Sequence, residues 1–137
     1  MHRIILTIMS ILLLVGCAQY HVIRENNMNM MSLSVGMSKK DFIEAMGGIK
    51  TFKLTEYKTV TNPYRTEQFS DKDGNVYEYI WYITKVPNFI YDGTVYEQDL
   101  TPFAIINGKL AGWGWSFYRD NKQRYEFDVN ISHKEKP

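Results

Sequence analysis

The run Val76–Ile83 constrains this chain most. Its eight residues alternate strictly, with Tyr77, Tyr79, Trp81 and Ile83 on one face and Val76, Glu78, Ile80 and Tyr82 on the other, the period of a β-strand. So heavy a strand needs partners, and turn chemistry supplies them. Asp71-Lys72-Asp73-Gly74-Asn75 reads as a hairpin turn, which pairs Thr66 to Ser70 antiparallel with the aromatic strand. Thr101 to Ile106, the turn Asn107-Gly108, and Lys109 to Tyr118 form a second hairpin. In its last strand Ala111, Trp113, Trp115 and Phe117 share one face, while Leu110, Gly112, Gly114 and Ser116 share the other. The bare side of that strand admits a close approach by another segment. Residues 51–63, where Phe52, Leu54 and Glu56 alternate with Lys53, Thr55 and Tyr57, are expected to add a strand that ends at Asn62-Pro63. Tyr125, Phe127, Val129 and Ile131 alternate with Arg124, Glu126, Asp128 and Asn130, as a fifth strand or an extended tail.

One helix signal precedes these strands. Ser38 is a good N-cap, Asp41 completes a capping box at the positive helix end, and Met37 can staple to Phe42. Phe42, Ile43 and Met46 share a face, and Gly47 or Gly48 supplies a left-handed stop. A helix this short is not stable alone and must lay its stripe on the sheet. The expected fold class is therefore α+β, with a short N-terminal helix packed on a small antiparallel β-sheet.

At the N-terminus, His2 and Arg3 precede an apolar run from Ile4 to Val15, then Gly16 and Cys17. That is export-signal order. At about 1.5 Å per residue the run reaches only about 18 Å, against a hydrocarbon core of about 30 Å, so it is too short to span comfortably. Leu14-Val15-Gly16-Cys17 resembles the lipobox of bacterial lipoproteins. That resemblance implies that the Cys17 thiol is lipidated, that residues 1–16 are removed, and that the new amine is acylated. Several acyl chains exceed the two-signal threshold for stable membrane anchoring. Ala18 in place of Asp goes, in enteric-type lipoproteins, with transfer to the outer membrane. Residues 17–34 follow as lipidated Cys and tether, because Arg24-Glu25-Asn26-Asn27 is polar and Met28-Asn29-Met30-Met31 shows no sustained period. The Met cluster has a second reading as an adaptable docking surface. The folded domain is expected over 35–132, with a fraying tail over 133–137.

Composition narrows the function classes. The 137 residues carry 16 Lys+Arg against 15 Asp+Glu, a formal charge of +1, which gives no broad footprint for nucleic acid. Loss of residues 1–16 removes Arg3 and leaves the signs equal. One Cys cannot form an internal disulfide, and three His offer few metal ligands. No metal, cofactor or nucleic acid is expected. Asp71-x-Asp73-Gly74-Asn75 lacks the later ligands of a calcium loop. Gly112-x-Gly114 lies in a strand and not at a strand-to-helix turn, so it is no phosphate cradle. His21 and His133 have no third group to orient them, so no hydrolytic triad and no enzyme is expected.

The order of these pieces is similar to the SmpA/OmlA, or BamE-like, lipoproteins. A lipobox Cys leads into Leu33, Gly36, Met37 and Ser38, a short helix ending at Gly47, a strand with Trp81-Tyr82, and a late hairpin with Gly108 and Leu110. Ile49 stands where that family commonly has Pro, and the stretch Pro87 to Asp99 is longer than its counterpart. The resemblance covers roughly residues 33–118. It implies a two-layer α+β domain, a short N-terminal helix or helix pair packed on a small antiparallel β-sheet, at the periplasmic face of the outer membrane, in an accessory role in outer-membrane protein assembly, with an envelope protein as partner and the membrane held through the N-terminal lipid.

Five residues stand out as candidates for partner binding. Trp113 and Trp115, with Tyr77, Tyr79 and Trp81, form either the core beneath the helix or an open aromatic face that captures a glycan or protein. Phe89, Ile90 and Tyr91 are consecutive apolar residues in the turn-rich loop 86–96, and form a contact site if exposed.

Overall fold

The computed structural model describes residues 21–86 and 93–123. Among the described residues the fold is α+β, with three helices and two antiparallel sheets. Helix α1 covers residues 21–30 and helix α2 Lys39–Ala45. Strands β1 (Lys50–Lys53) and β2 (Thr59–Asn62) form a two-stranded sheet. Strands β3 (Arg65–Ser70), β4 (Val76–Ile83), β5 (Leu100–Ile106) and β6 (Lys109–Trp113) follow one another as a four-stranded meander. A 3-10 turn at Glu97–Asp99 leads into β5, and helix α3 covers residues 115–123. Asn62-Pro63, at the passage from β2 to β3, is a cis peptide bond.

Local chemistry explains α2 and the hairpins. Ser38 Oγ accepts from the Asp41 amide at 3.1 Å and donates to the Asp41 carboxylate at 2.7 Å. At the other end, the Gly47 amide donates to Glu44 and the Gly48 amide to Ile43, with Gly47 at φ +88°; this is a Schellman stop. In the β3–β4 turn, the Asp71 carboxylate accepts from the Asp73 and Asn75 amides and from the Asn75 side chain. These bonds, the Asn75 side chain foremost, hold its carboxyl below the usual range. The β5–β6 turn places Asn107 at φ 50° and Gly108 at φ 78°, the left-handed pair that a two-residue hairpin requires. Asn107 ties the two turns together, accepting from the Val76 amide and donating to the Asn75 side chain, both at 2.9 Å.

The four-stranded sheet is covered on both faces. On one, Phe42 of α2 and its C-cap Met46, with Leu33, bury Ile80, Tyr82, Phe103, Ile105 and Leu110. On the other, Ile23 of α1, Leu54, and Val60 of β2 meet Tyr79, Trp81, Ile83, Leu100 and Ala104, with Phe117 and Tyr118 of α3 packed alongside. The expected packing of a helix on the sheet is present, and the opposite face is covered as well. The aromatic face of β4 lies away from α2, which instead takes the face of Ile80 and Tyr82.

Two corrections concern chain segments. Residues 21–30 are helical and belong to the fold, so the tether reading of 17–34 fails across them. Val22, Ile23 and Asn26 are buried there, recurring at i, i+1 and i+4. Asn26 and Asn62 exchange side-chain hydrogen bonds at 3.1 and 2.8 Å, Asn26 also donates to the Ile83 carbonyl, and Asn27 donates to Thr84. These bonds fasten α1 across the end of β4. Glu25 adds an ion pair to Lys50 at 2.7 Å.

The second correction concerns the last strand, which stops at Trp113 and not at Tyr118. Pro102 of β5 has a carbonyl that the Gly114 amide takes at 2.8 Å but no N–H to return. Gly114 turns at φ +93°, and α3 begins. The bare side of β6 is approached closely, as expected, because a Cβ on Gly112 would lie 2.6 Å from the Phe117 ring. The approaching segment is α3. On the outer edge of β6, the segment 36–39 runs as a strap: Gly36 donates to Leu110, Leu110 to Met37, and Lys39 to Gly108. The expected fifth strand beyond Arg124 lies outside the described residues.

Candidate interaction surfaces

Trp113 and Trp115 do not share a face. A bulge between Ala104 and Ile105 pairs Ile105 with Leu110 and Ala104 with Gly112, which leaves Ala111 as the extra residue and puts Leu110 and Trp113 on the same side. Trp113 stacks on Phe103 with ring centroids 6.2 Å apart, at the rim of the α2 layer. Trp115 packs in the opposite layer against Trp81 at 5.2 Å, and its indole N–H donates to the Leu100 carbonyl at 2.9 Å. Both are half-buried.

Around Trp81 the aromatic residues form an interior cluster. Tyr118 meets Trp81 edge-on at 4.9 Å and Tyr79 at 4.7 Å, while Phe69 stacks on its cross-strand partner Tyr77 at 5.3 Å. Tyr79 and Trp81 are buried, so this sheet face offers no open platform for a sugar ring. Arg65 closes its edge, with its guanidinium 4.2 Å from the Trp81 ring and forked onto Glu97 at 2.5 and 2.8 Å. That pairing raises the Arg65 pKa. Glu67 lies 3.3 Å from its Nε, without the alignment of a hydrogen bond. Arg65 is thus a clamp between β3 and the 3-10 turn, with both terminal amino groups engaged.

The acidic residues near it are engaged too. Asp99 is buried and its carboxylate accepts from the Tyr96 amide at 2.9 Å. His21 lies 3.8 Å from Glu25 on α1. Glu97, Asp99 and His21 therefore each answer to a different neighbour. Among the described residues, no group of three or more His, Cys, Asp and Glu is placed to hold a metal ion.

Phe89, Ile90 and Tyr91 lie outside the described residues, as does Cys17. Where the chain returns at Gly93, it is anchored: Lys58 Nζ donates to the Gly93 carbonyl at 2.6 Å, and a Cβ there would meet the Lys58 and Thr55 side chains at 2.9 and 3.0 Å.

The Met cluster, read from the sequence as tether or as an adaptable docking surface, falls on the outer face of α1 and the turn that ends it, a helix that sequence reasoning missed. His21, Arg24, Met28 and Met31 recur at i, i+3, i+7 and i+10, opposite the buried Val22, Ile23 and Asn26. Met28 is 59% exposed and Met31 87%. An open concavity of about 400 Å³ is lined by His21, Arg24, Glu25, Met28 and Asn29. Ile49, also exposed, lies beside this helix, since Gly47 approaches Glu25 and Asn29 and Lys50 pairs with Glu25. The signal was present in the stripe Val22, Ile23, Met30 and Leu33, but a core Asn and the surrounding Met residues obscured it.

No helix among the described residues is long and apolar enough to cross a membrane. Comparison with protein-family models, curated proteins and solved structures returned no match to this chain.

Proposed function

We propose that this chain is a lipid-anchored accessory or scaffold protein of the bacterial cell envelope. It is held at the outer membrane facing the periplasm and acts by binding a protein partner, without catalysis. The observation that carries the reading is Leu14-Val15-Gly16-Cys17 at the end of a short apolar run, with Cys17 the single cysteine. A bulky anchor there is compatible with the fold, because α1 is already secured from His21 onward by its own buried face. The α+β architecture and the late hairpin support the likeness to BamE-like lipoproteins, and through it a role in outer-membrane protein assembly.

Intact mass of the native product tests the anchor. The expected species begins at Cys17 and carries acyl chains, and Cys17→Ser abolishes both processing and membrane attachment. A free sulfhydryl on the native protein overturns the reading. For the accessory role, crosslinking in whole envelopes followed by purification is expected to recover a defined envelope protein, and recovery of none counts against it.

A further inference from the structure

We propose that the outer face of α1 lies directly on the membrane leaflet that holds the Cys17 lipid, with Met28 and Met31 entering the boundary between headgroups and acyl chains and Arg24 reaching the phosphates. This rests on the lipid anchor proposed above. Only three residues separate Cys17 from His21, and four Cα steps span at most about 14 Å whatever path they take. His21, on α1, is therefore confined close to the bilayer surface. Over residues 21–30 the helix advances about 14 Å, and Met31 follows in the turn that ends it, so laying the helix flat brings the stripe to a similar depth.

The composition of the stripe fits that occupant. Met28 and Met31 are unbranched, apolar and exposed, and Arg24 is exposed with no acidic partner among the described residues. A long basic side chain beside apolar ones is the arrangement that lets an interfacial helix bury its stem and keep its charge among headgroups. Ile49, on the flank of the helix, extends the apolar area. Glu25 does not oppose an anionic surface, because Lys50 neutralises it at 2.7 Å. The buried face of α1 is fixed on the sheet through Asn26 and Ile23, so the opposite face is presented with the whole domain behind it.

The experiment uses the full lipidated protein in vesicles of phosphatidylethanolamine and phosphatidylglycerol. Because the anchor occupies the single native thiol, Met28→Cys, Met31→Cys and Gln68→Cys each accept one nitroxide label. Gln68, exposed on β3, is the reference. Labels at 28 and 31 are expected to favour oxygen over an aqueous nickel chelate at least several-fold relative to 68. The Met28→Glu/Met31→Glu pair, with a label at Ile49→Cys, is expected to lose that contrast while still sedimenting with the vesicles. Equal chelate access at 28, 31 and 68 overturns the proposal, as does immobilisation at 28 and 31 that persists in detergent as a dimer or complex. Failure of the anchor reads differently, since the native protein then has a reactive Cys17 and does not sediment at all.

Discussion

Asn26 and Asn62 are fully buried and satisfy one another. Asn26→Ala leaves the Asn62 amide and the Ile83 carbonyl without a partner, and is expected to lower stability by about 2 kcal/mol or more in urea unfolding. Tyr79 and Tyr82 carry the opposite signature: their hydroxyls are buried with no hydrogen-bond partner among the described residues. Tyr82→Phe is therefore expected to be neutral or stabilising by up to about 1 kcal/mol, and a loss of more than that shows a bond that the geometry lacks. Burial pushes the Tyr79 phenol up to about 12. The unfolded chain ionises near 10, so the folded state binds the extra proton between those values and stability falls as pH rises through them. Tyr79→Phe should flatten that alkaline limb. Asp71 gives the mirror case, because its carboxyl is held low by Asn75. Its contribution is present above the ordinary carboxylate pKa and is lost as pH falls through the lower folded value. Asp71→Asn should accordingly make acid unfolding shallower.

At the scale of elements, the contact between Gly112 and Phe117 decides how α3 seats on the sheet. Gly112→Ala drives a methyl into that ring and is expected to cost about 1–3 kcal/mol. The same change in a Phe117→Ala background should cost much less, and additive effects in the double-mutant cycle would show that α3 does not rest there. What the sequence made legible follows from range. The α2 cap and stop, the two hairpin turns and the alternation of β4 are settled by residues within a few positions of one another. The bulge at Ala104/Ile105 and the Pro102 carbonyl act on β6 from another strand, so Trp113 to Phe117 read as continued alternation when the chain had already turned into a helix. The hydrophobic stripe of α1 was interrupted by Asn26, whose polarity makes sense only with Asn62 opposite it. The acceptance of Phe117 over Gly112 was anticipated as a close approach, though nothing local named the segment that makes it.

For the molecule as a whole, α1 joins the two layers, since Ile23 packs on one face of the sheet and Met30 on the other. A chain beginning at Ser34 is therefore expected to lose cooperative unfolding and near-ultraviolet circular dichroism, whereas one beginning at Ala18 keeps both. If 18–34 were only a leash, the two would behave alike. The strap at 36–39 has a consequence for crowding on a surface. Attachment through the Cys17 lipid proposed above would gather copies into two dimensions, where exposed strand edges find one another readily. Fibre growth by edge-to-edge addition requires that each subunit offer two vacant rims. Here the chain has already occupied one of them with its own backbone, so stacking through the sheet terminates at a pair and cannot propagate.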